Sequence, residues 1–276
     1  MKIVYFGYDF FYNCLDFLVK NNFEIFKVYS YKTDNNYNFN TYIQNICNKN
    51  NIPFTTNKID YNELKYLEDN DVDLIISAAY PYKIPISKII KGINIHPTLL
   101  PIGRGPWPLP YIILKEYSES GVTIHKLIDK LDAGDILIQK KFKVNRDDNL
   151  ETISIKSQLL ARQALEILLK NFEYFWINAK PQSGGSYWKM PTEEDMLLDW
   201  NKPVSYIEKV ARAFGKMDSV AFFDNKHWIV QDVKVWEENH NIPIGKVVHK
   251  TNKEVLIAAI NGFVCCRYFK KDLDYE

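Results

Sequence analysis

Short apolar runs alternate with segments of helical spacing through the first half of the chain. The run at 2–7 ends in a glycine, and the positions of Phe11, Leu15 and Leu18 after it predict a helix with one buried face. Further strands are predicted at 24–31 and 73–80, and further helices at 39–50 and 63–69. A continuous apolar strand is typical of a parallel sheet that is covered on both faces. The pattern predicts an α/β fold with a doubly wound, mostly parallel, Rossmann-like sheet.

The pattern changes after a long predicted helix at 150–175. The stretch 178–203 is rich in proline and glycine, which interrupt regular structure. Beyond it, a helix at 204–214 precedes short alternating segments separated by turn residues, which is typical of a small β domain or a partly closed barrel. We therefore expect a first domain at 1–180, a linker at 181–203 and a small, OB-like β domain at 204–276.

Composition narrows the class of protein. Lys and Arg number 35 and Asp and Glu number 34, so the formal net charge is +1 and no face is forced to meet nucleic acid or acidic lipid. No stretch approaches the roughly 20 apolar residues of a membrane span, and the start has no leader pattern. The cysteines lack the spacing of a zinc site. We expect a cytosolic protein that binds neither metal, membrane nor nucleic acid.

Asn94 and His96 are the first candidates for chemistry. They lie two residues apart on a predicted strand that Pro97 ends, and side chains at this spacing share one face of a strand. An amide and an imidazole on one face can converge on a single substrate atom. The alternative is that both are ordinary strand-end residues satisfied by nearby backbone.

Asp132 adds a carboxylate to this pair. It lies in a turn in which Gly134 permits a tight bend. A carboxylate near an imidazole raises the imidazole pKa and orients the ring, and the couple can take a proton beside an amide that stabilises an oxyanion. These are the two tasks of acyl transfer. The alternative is a turn aspartate that caps backbone amides.

The loop at 102–108 is a candidate anion site. The guanidinium of Arg104 can hold a phosphate, and its neighbour Gly105 permits close approach. Trp107 and, after the first strand, Tyr8 are candidates for stacking on a sugar or base. A solvated arginine on a surface loop is the alternative. The chain lacks Gly-x-Gly-x-x-Gly after its first strand, which argues against a dinucleotide-dependent dehydrogenase.

Two segments resemble a known family when they are taken together. Asn-Ile-His-Pro-Thr-Leu-Leu-Pro from Asn94, followed by Leu-Asp-Ala-Gly-Asp-Ile from Leu131, is similar to the core of the 10-formyltetrahydrofolate-dependent formyltransferases. The resemblance extends to 2–7 and 192–214 and so covers nearly the whole chain. It implies a catalytic triad of Asn94, His96 and Asp132 that needs no metal. An amine attacks the formyl carbon, the first two residues donate to the oxyanion, and the aspartate orients the imidazole and assists proton removal.

The resemblance also implies where the co-substrate, N10-formyltetrahydrofolate, binds. Its pterin is expected against one loop after the fourth strand and another before the aspartate. The corresponding residues are Tyr82, Lys83, Ile84, Ile128 and Asp129. The alternative for the first loop is a connection stiffened by its prolines and unrelated to any ligand.

Charge decides between the acceptors used in this family. A tRNA binder is expected to carry an excess of Lys and Arg, which this chain lacks, and the glycinamide ribonucleotide enzyme has no C-terminal β domain. We therefore predict a nucleotide-linked deoxyamino sugar, of the dTDP-4-amino-4,6-dideoxyglucose type, as the acceptor in surface polysaccharide synthesis. Arg104 would meet its pyrophosphate. The alternatives are methionyl-tRNA formyltransferase and a non-catalytic folate- or nucleotide-binding module, and a homodimer through the β domain is possible.

Overall fold

The computed structural model describes residues 1–215 and 219–271, with side chains up to 267. It contains two compact units. The first comprises 1–108, 119–143 and 154–188, and the second comprises 109–118, 144–153 and the chain from 189 onward. The boundaries at 180 and 203 stay a prediction, and residues 216–218 and 272–276 of the predicted β domain lie outside the described residues.

A seven-stranded sheet forms the centre of the first unit. Its strands are β1 (Lys2–Gly7), β2 (Glu24–Tyr29), β3 (Phe54–Thr55), β4 (Leu74–Ala78), β5 (Lys91–His96), β6 (Glu119–Lys126) and β7 (Ile136–Lys143). They are ordered β3-β2-β1-β4-β5-β6-β7. The first five run parallel, and β6 is antiparallel to both its neighbours. The mostly parallel Rossmann-like sheet predicted from the sequence is confirmed.

Eight α-helices accompany the strands in the described part of the chain. They are α1 (Tyr12–Lys20), α2 (Thr41–Lys49), α3 (Tyr61–Asp69), α4 (Leu109–Leu114), α5 (Leu150–Lys170), α6 (Phe172–Ile177), α7 (Glu193–Met196) and α8 (Val204–Phe214). The single helix predicted at 150–175 is two helices, because the backbone of Asn171 leaves the helical region (φ −139°, ψ 48°) between α5 and α6.

The two faces of the sheet bury different side chains. Ile3 and Tyr5 of β1 belong to one core, and Val4 and Phe6 belong to the other. Successive side chains of a strand point to opposite faces, so a continuous apolar strand supplies both cores. Ile93 and Ile95 of β5 lie in the first core. The residues between and beside them, which include Asn94 and His96, therefore point to the face of the second core.

The second unit contains a five-stranded antiparallel sheet. Its strands are β8 (Ser219–Phe223), β9 (Lys226–Glu237), β10 (Val247–Lys250), β11 (Glu254–Ala259) and β12 (Gly262–Lys271), in the order β10-β11-β12-β9-β8. Asp224 and Asn225, with φ of 52° and 57°, make the tight turn between the first two strands. A small β domain was predicted here and is confirmed. Among the described residues, no helix has the length and apolarity to cross a membrane.

Candidate active site

The three predicted catalytic side chains converge. Nδ1 of His96 lies 3.5 Å from Oδ1 of Asp132, and Nδ2 of Asn94 donates to the same oxygen at 3.2 Å. His96 and Asp132 are buried, whereas Asn94 is half-buried. Asp132 has a φ of 51°, a left-handed conformation that aspartate tolerates better than most residues. The loop between β6 and β7 thus delivers a carboxylate to the strand that carries the other two groups.

His125 joins this cluster, which the sequence analysis did not foresee. It is 1% exposed, and its Nε2 lies 3.1 Å from Nδ2 of Asn94 and 3.7 Å from Oδ1 of Asp132. In the register of β5 and β6, His125 is the direct partner of Asn94. The sequence pattern does not reveal these contacts, because the partners of His125 come from the neighbouring strand and the following loop rather than from nearby positions in the sequence.

The glycine-rich loop at 103–105 closes over the triad. Nε2 of His96 donates to the Gly103 carbonyl at 2.7 Å, and the Gly105 amide donates to Oδ2 of Asp132 at 2.9 Å. A Cβ on Gly105 (φ 123°) would lie 2.0 Å from the carbonyl oxygen of Trp188. The need for glycine at this position follows from packing against the chain itself, and the loop completes the hydrogen bonding of two residues of the predicted triad.

The protonation states of the triad follow from burial and contacts. Burial lowers the pKa of His96 below its usual value and outweighs the opposing effects of Asp132 and the Gly103 carbonyl. Burial also acts to raise the pKa of Asp132, but the neighbouring imidazoles and the Gly105 amide outweigh it and lower that pKa. A neutral His96 that donates from Nε2 presents the lone pair of Nδ1 toward Asp132. Two proton acceptors therefore face each other across 3.5 Å.

Arg104 is held by a residue that sequence reasoning missed. Its Nε and Nη2 donate to Oε1 of Gln182 at 3.0 and 2.8 Å, and Nε2 of Gln182 donates to the carbonyls of Asp132 and Gly134. Since glutamine is neutral, the charge of Arg104 is not compensated, and no carboxylate of the described residues forms an ion pair with it. Gln182 lies in the segment that we predicted as a linker, where no pattern marked it.

The two loops predicted to hold the pterin contact each other. Nζ of Lys83 lies 2.6 Å from Oδ1 of Asp129, with both side chains largely exposed. Ile84 is buried and Tyr82 is half-buried, whereas Ile128 is 42% exposed. The exposed apolar side chain of Ile128, on the loop that carries Asp132, is available to cover an apolar ring.

A cleft of about 310 Å³ lies next to these loops, between the segment 85–92 and Leu127. Its lining includes Pro85, Ile86, Gly92 and Leu127. A Cβ on Gly92 would lie 3.0 Å from Cβ of Leu127, so any side chain at this position would crowd the opposite wall. Gly92 and Asn94 share a face of β5, so the cleft and the triad lie on the same side of this strand. The apolar residues of the cleft are joined by Ser87, Lys88 and Lys91, and an apolar slot with a few polar groups fits a flat heterocycle.

The remaining predicted residues lie farther from the triad. Tyr8 follows β1, two strands from β5, which places its backbone about 10 Å away. Its ring packs edge to face on Tyr31 with centroids 5.4 Å apart, and burial raises its pKa. Trp107 is half-buried in the loop after Arg104. The roles of both residues toward substrate stay predictions. The described residues contain no group of three His, Cys, Asp or Glu side chains able to hold a metal.

Comparison with known families identifies both parts of the chain. Residues 1–168 match the family described as "Formyl transferase", and residues 191–272 match the one described as "Formyl transferase, C-terminal domain". A curated relative from Thermosipho melanesiensis, named methionyl-tRNA formyltransferase, is 30% identical across 98% of this chain and 91% of its own length.

Solved structures share the fold at lower identity. HypX from Aquifex aeolicus, in complex with tetrahydrofolic acid, has a TM-score of 0.73 and 20% identity and covers 98% of this chain and 44% of its own. An N-formyltransferase from Helicobacter canadensis, in complex with folinic acid and dTDP-3-aminofucose, has a TM-score of 0.69 and 17% identity and covers 98% of this chain and 99% of its own.

The acceptor predicted from the sequence is wrong. We had predicted a nucleotide-linked amino sugar and no nucleic acid, but the curated relatives at 30–34% identity are named methionyl-tRNA formyltransferase. The sugar enzymes are similar only at identities that indicate the fold. The charge argument failed because net charge sums over the whole surface, whereas phosphates meet only one part of it.

Proposed function

This chain belongs to the formyl transferase family, and we propose that it transfers a formyl group from N10-formyltetrahydrofolate to the amino group of methionyl-tRNA. The proposal of methionyl-tRNA as the acceptor rests on the match to a methionyl-tRNA formyltransferase over 98% of this chain, which includes the second unit. The charge balance of the chain is compatible with this acceptor if few phosphates are contacted.

The triad is proposed to bind and deprotonate the amine. His96 Nδ1 and Asp132 Oδ1 are two acceptors 3.5 Å apart, and both can accept hydrogen bonds from one amine nitrogen. Its lone pair is then free to attack a carbonyl carbon. As the C–N bond forms, the nitrogen becomes positive and its proton passes to His96 Nδ1, where the Asp132 carboxylate stabilises the imidazolium. The bond between the formyl carbon and N10 of the donor would then break, and the proton on His96 would pass to N10 of the departing tetrahydrofolate. The donor roles toward an oxyanion stay predictions, because both donors already have protein acceptors in this structure.

The cleft next to the two loops is proposed to hold the folate. N10-formyltetrahydrofolate supplies the formyl carbon that the amine attacks. The apolar lining between Ile86 and Leu127 would cover the pterin, and the Lys83–Asp129 ion pair would hold the two loops together around it. Ile128, the exposed apolar residue at the rim, would lose its exposure on binding.

Arg104 is proposed to bind a phosphate of the acceptor near its reactive end. Its side chain carries an uncompensated charge, and its neutral partner Gln182 fixes the guanidinium without removing that charge. An arginine held in this way offers its remaining N–H groups to an anion at little further entropic cost.

A formylation assay tests the acceptor. Purified protein, N10-formyltetrahydrofolate and methionyl-tRNA are incubated, and the methionine released from the tRNA is analysed by mass. We expect formylmethionine, with release of tetrahydrofolate in equal amount. Uncharged tRNA is the control and should release none. Release of tetrahydrofolate with an amino sugar nucleotide but not with methionyl-tRNA would contradict the proposal, and no turnover with any amine would favour a non-catalytic module.

A further inference from the structure

We propose that His125 is a positioning residue that fixes the side-chain amide of Asn94, so that the carbonyl oxygen of this amide faces the incoming amine. The proposal rests on the proposed amine acylation at the triad. It assigns a function to His125, a buried histidine outside the predicted triad. It also implies that Asn94 presents the oxygen of its amide to substrate, rather than the NH2 group.

The tautomer of His125 follows from its contacts. Nδ1 lies 2.8 Å from the carbonyl oxygen of Lys126, which can only accept a hydrogen bond, so Nδ1 carries the proton. In the neutral ring, Nε2 then has a lone pair and faces Nδ2 of Asn94 at 3.1 Å. The backbone of Lys126 therefore makes His125 an acceptor on the side where the catalytic asparagine lies.

Two acceptors then determine the orientation of the Asn94 amide. Its Nδ2 faces Nε2 of His125 and Oδ1 of Asp132, at 3.1 and 3.2 Å. Rotating the amide by 180° would bring its oxygen against a lone pair and a carboxylate, with repulsion from both. Both interactions are in a buried environment, where such repulsion is strong.

The fixed amide directs its oxygen away from the buried groups. Among the described residues, no donor reaches Oδ1 of Asn94, and Asn94 is half-buried while His96, His125 and Asp132 are buried. Oδ1 of Asn94 thus joins His96 Nδ1 and Asp132 Oδ1 as an acceptor at the open side of the cluster. A primary amine can give one N–H group to Oδ1 of Asn94 and share the other between His96 Nδ1 and Asp132 Oδ1, which leaves its lone pair directed at the formyl carbon.

The tautomer can be measured without any substrate. Protein labelled with ¹⁵N in its histidines is examined by NMR, and the His125 signals are assigned from their loss in His125→Gln. We expect a protonated Nδ1 and an unprotonated Nε2 for His125. A protonated Nε2 at neutral pH would overturn the proposal whatever the acceptor of the enzyme is. This measurement separates its failure from a failure of the proposed function.

Kinetics of two variants test the consequence. His125→Leu removes the acceptor, and we expect kcat to fall about 10- to 100-fold while KM for the formyl donor changes less than about twofold, because the amide loses its orientation but the cleft is intact. His125→Gln keeps an oxygen that can accept from Asn94, and we expect it to retain kcat within about fivefold of the wild type. Exposed His249→Leu in the second unit is the control and should equal the wild type.

The result that would overturn the proposal is equal loss in both His125 variants, or no loss in His125→Leu. Melting temperatures are recorded for each protein. If His125→Leu does not fold, the comparison of His125→Gln with wild type and the tautomer measurement still decide, since a glutamine variant that loses kcat about 100-fold would show that an acceptor at this position is not sufficient.

Discussion

Asp132 joins three parts of the site through one carboxylate. Oδ2 accepts from the Gly105 amide and so holds the closing loop, while Oδ1 accepts from Asn94 and faces Nδ1 of His96. The charge that would stabilise an imidazolium is therefore also a structural acceptor. Replacing this charge without changing the shape of the side chain separates the two roles.

Asp132→Asn should abolish most of the activity without unfolding the protein. Asparagine tolerates the left-handed backbone of this position, but it cannot stabilise a proton on His96. We expect kcat to fall about 10³-fold, within the range for loss of general acid–base catalysis. Single-turnover formylation gives the rate. Asp135→Asn, which changes an aspartate three residues away whose nearest cation is Lys126 at 3.4 Å, is the matched control and should keep wild-type activity.

The pH profile should extend to the acid side of the usual histidine range. His96 must be neutral to accept the proton, and burial lowers its pKa, so the ring stays neutral as the pH falls through about 6.5. Asp132 stays ionised over the same range because its pKa is also lowered. We expect kcat to be level from about pH 8 to about pH 6.5 and to fall below that. A profile that already declines between pH 8 and pH 7 would show that His96 has no lowered pKa.

Sequence reasoning found the site residues that lie close together in the chain. It missed those that come together only in the folded structure. The i, i+2 spacing of Asn94 and His96 is visible in the chain and places them on one face. His125 reaches the same cluster only through the register of two antiparallel strands. Gln182 reaches it from 50 residues beyond Asp132. Neither relation has a signal in the pattern of a single sequence.

At the scale of elements, β5 connects the cleft to the chemistry. Gly92 lies at the floor of the cleft, and Asn94 and His96 follow on the same face. The strand pairs with β6 so that Leu127, whose amide donates to the Gly92 carbonyl at 2.8 Å, forms the opposite wall. One strand face therefore holds both the proposed folate floor and the reacting groups.

Gly92→Val should weaken folate binding more than it slows chemistry. Its side chain would enter the cleft and displace Leu127, whose Cβ would lie 3.0 Å from even the first added carbon. We expect KM for the formyl donor to rise at least about 10-fold, with KM for the acceptor changed by less than about twofold. Initial rates at varied donor and acceptor concentrations give both constants. An unchanged KM for the formyl donor would show that the folate does not bind in this cleft.

The elements themselves were largely predictable. Continuous apolar strands such as β4, with all five residues buried, indicate a sheet covered on both faces, and the structure has a separate core on each face. The interruption between α5 and α6 was not predictable, because apolar spacing continues through Asn171 and only its backbone conformation separates the two helices. Asparagine occurs both inside helices and at their ends, so the residue type alone does not mark the break.

For the whole molecule, total charge proved a poor guide to the acceptor. A net charge of +1 gives the balance of basic and acidic residues, but it does not say where on the surface they contact a partner. We expect few phosphate contacts, because the contact proposed for Arg104 involves one phosphate near the reactive end of the acceptor.

Binding of methionyl-tRNA should depend on salt only moderately. Each neutralised phosphate adds about −0.9 to the slope of log K against log salt concentration, and we expect a slope shallower than about −5. Affinity measured by fluorescence titration between about 50 and about 200 mM salt gives the slope. Arg104→Gln should reduce it by about one if this residue contacts a phosphate. An unchanged slope would remove Arg104 from the phosphate contacts.

The hydrogen bonds from Gln182 to the backbone around Asp132 determine how short a fragment of the protein can be and still keep the site. The family match of the first part ends at residue 168, yet Gln182 supports the backbone of Asp132, Ser186 accepts from the Gly103 amide, and Trp188 lies against Gly105. A minimal catalytic fragment must therefore extend through residue 188. A chimaera joined at residue 168 would replace the residues that support the proposed acid–base centre together with the rest of the chain.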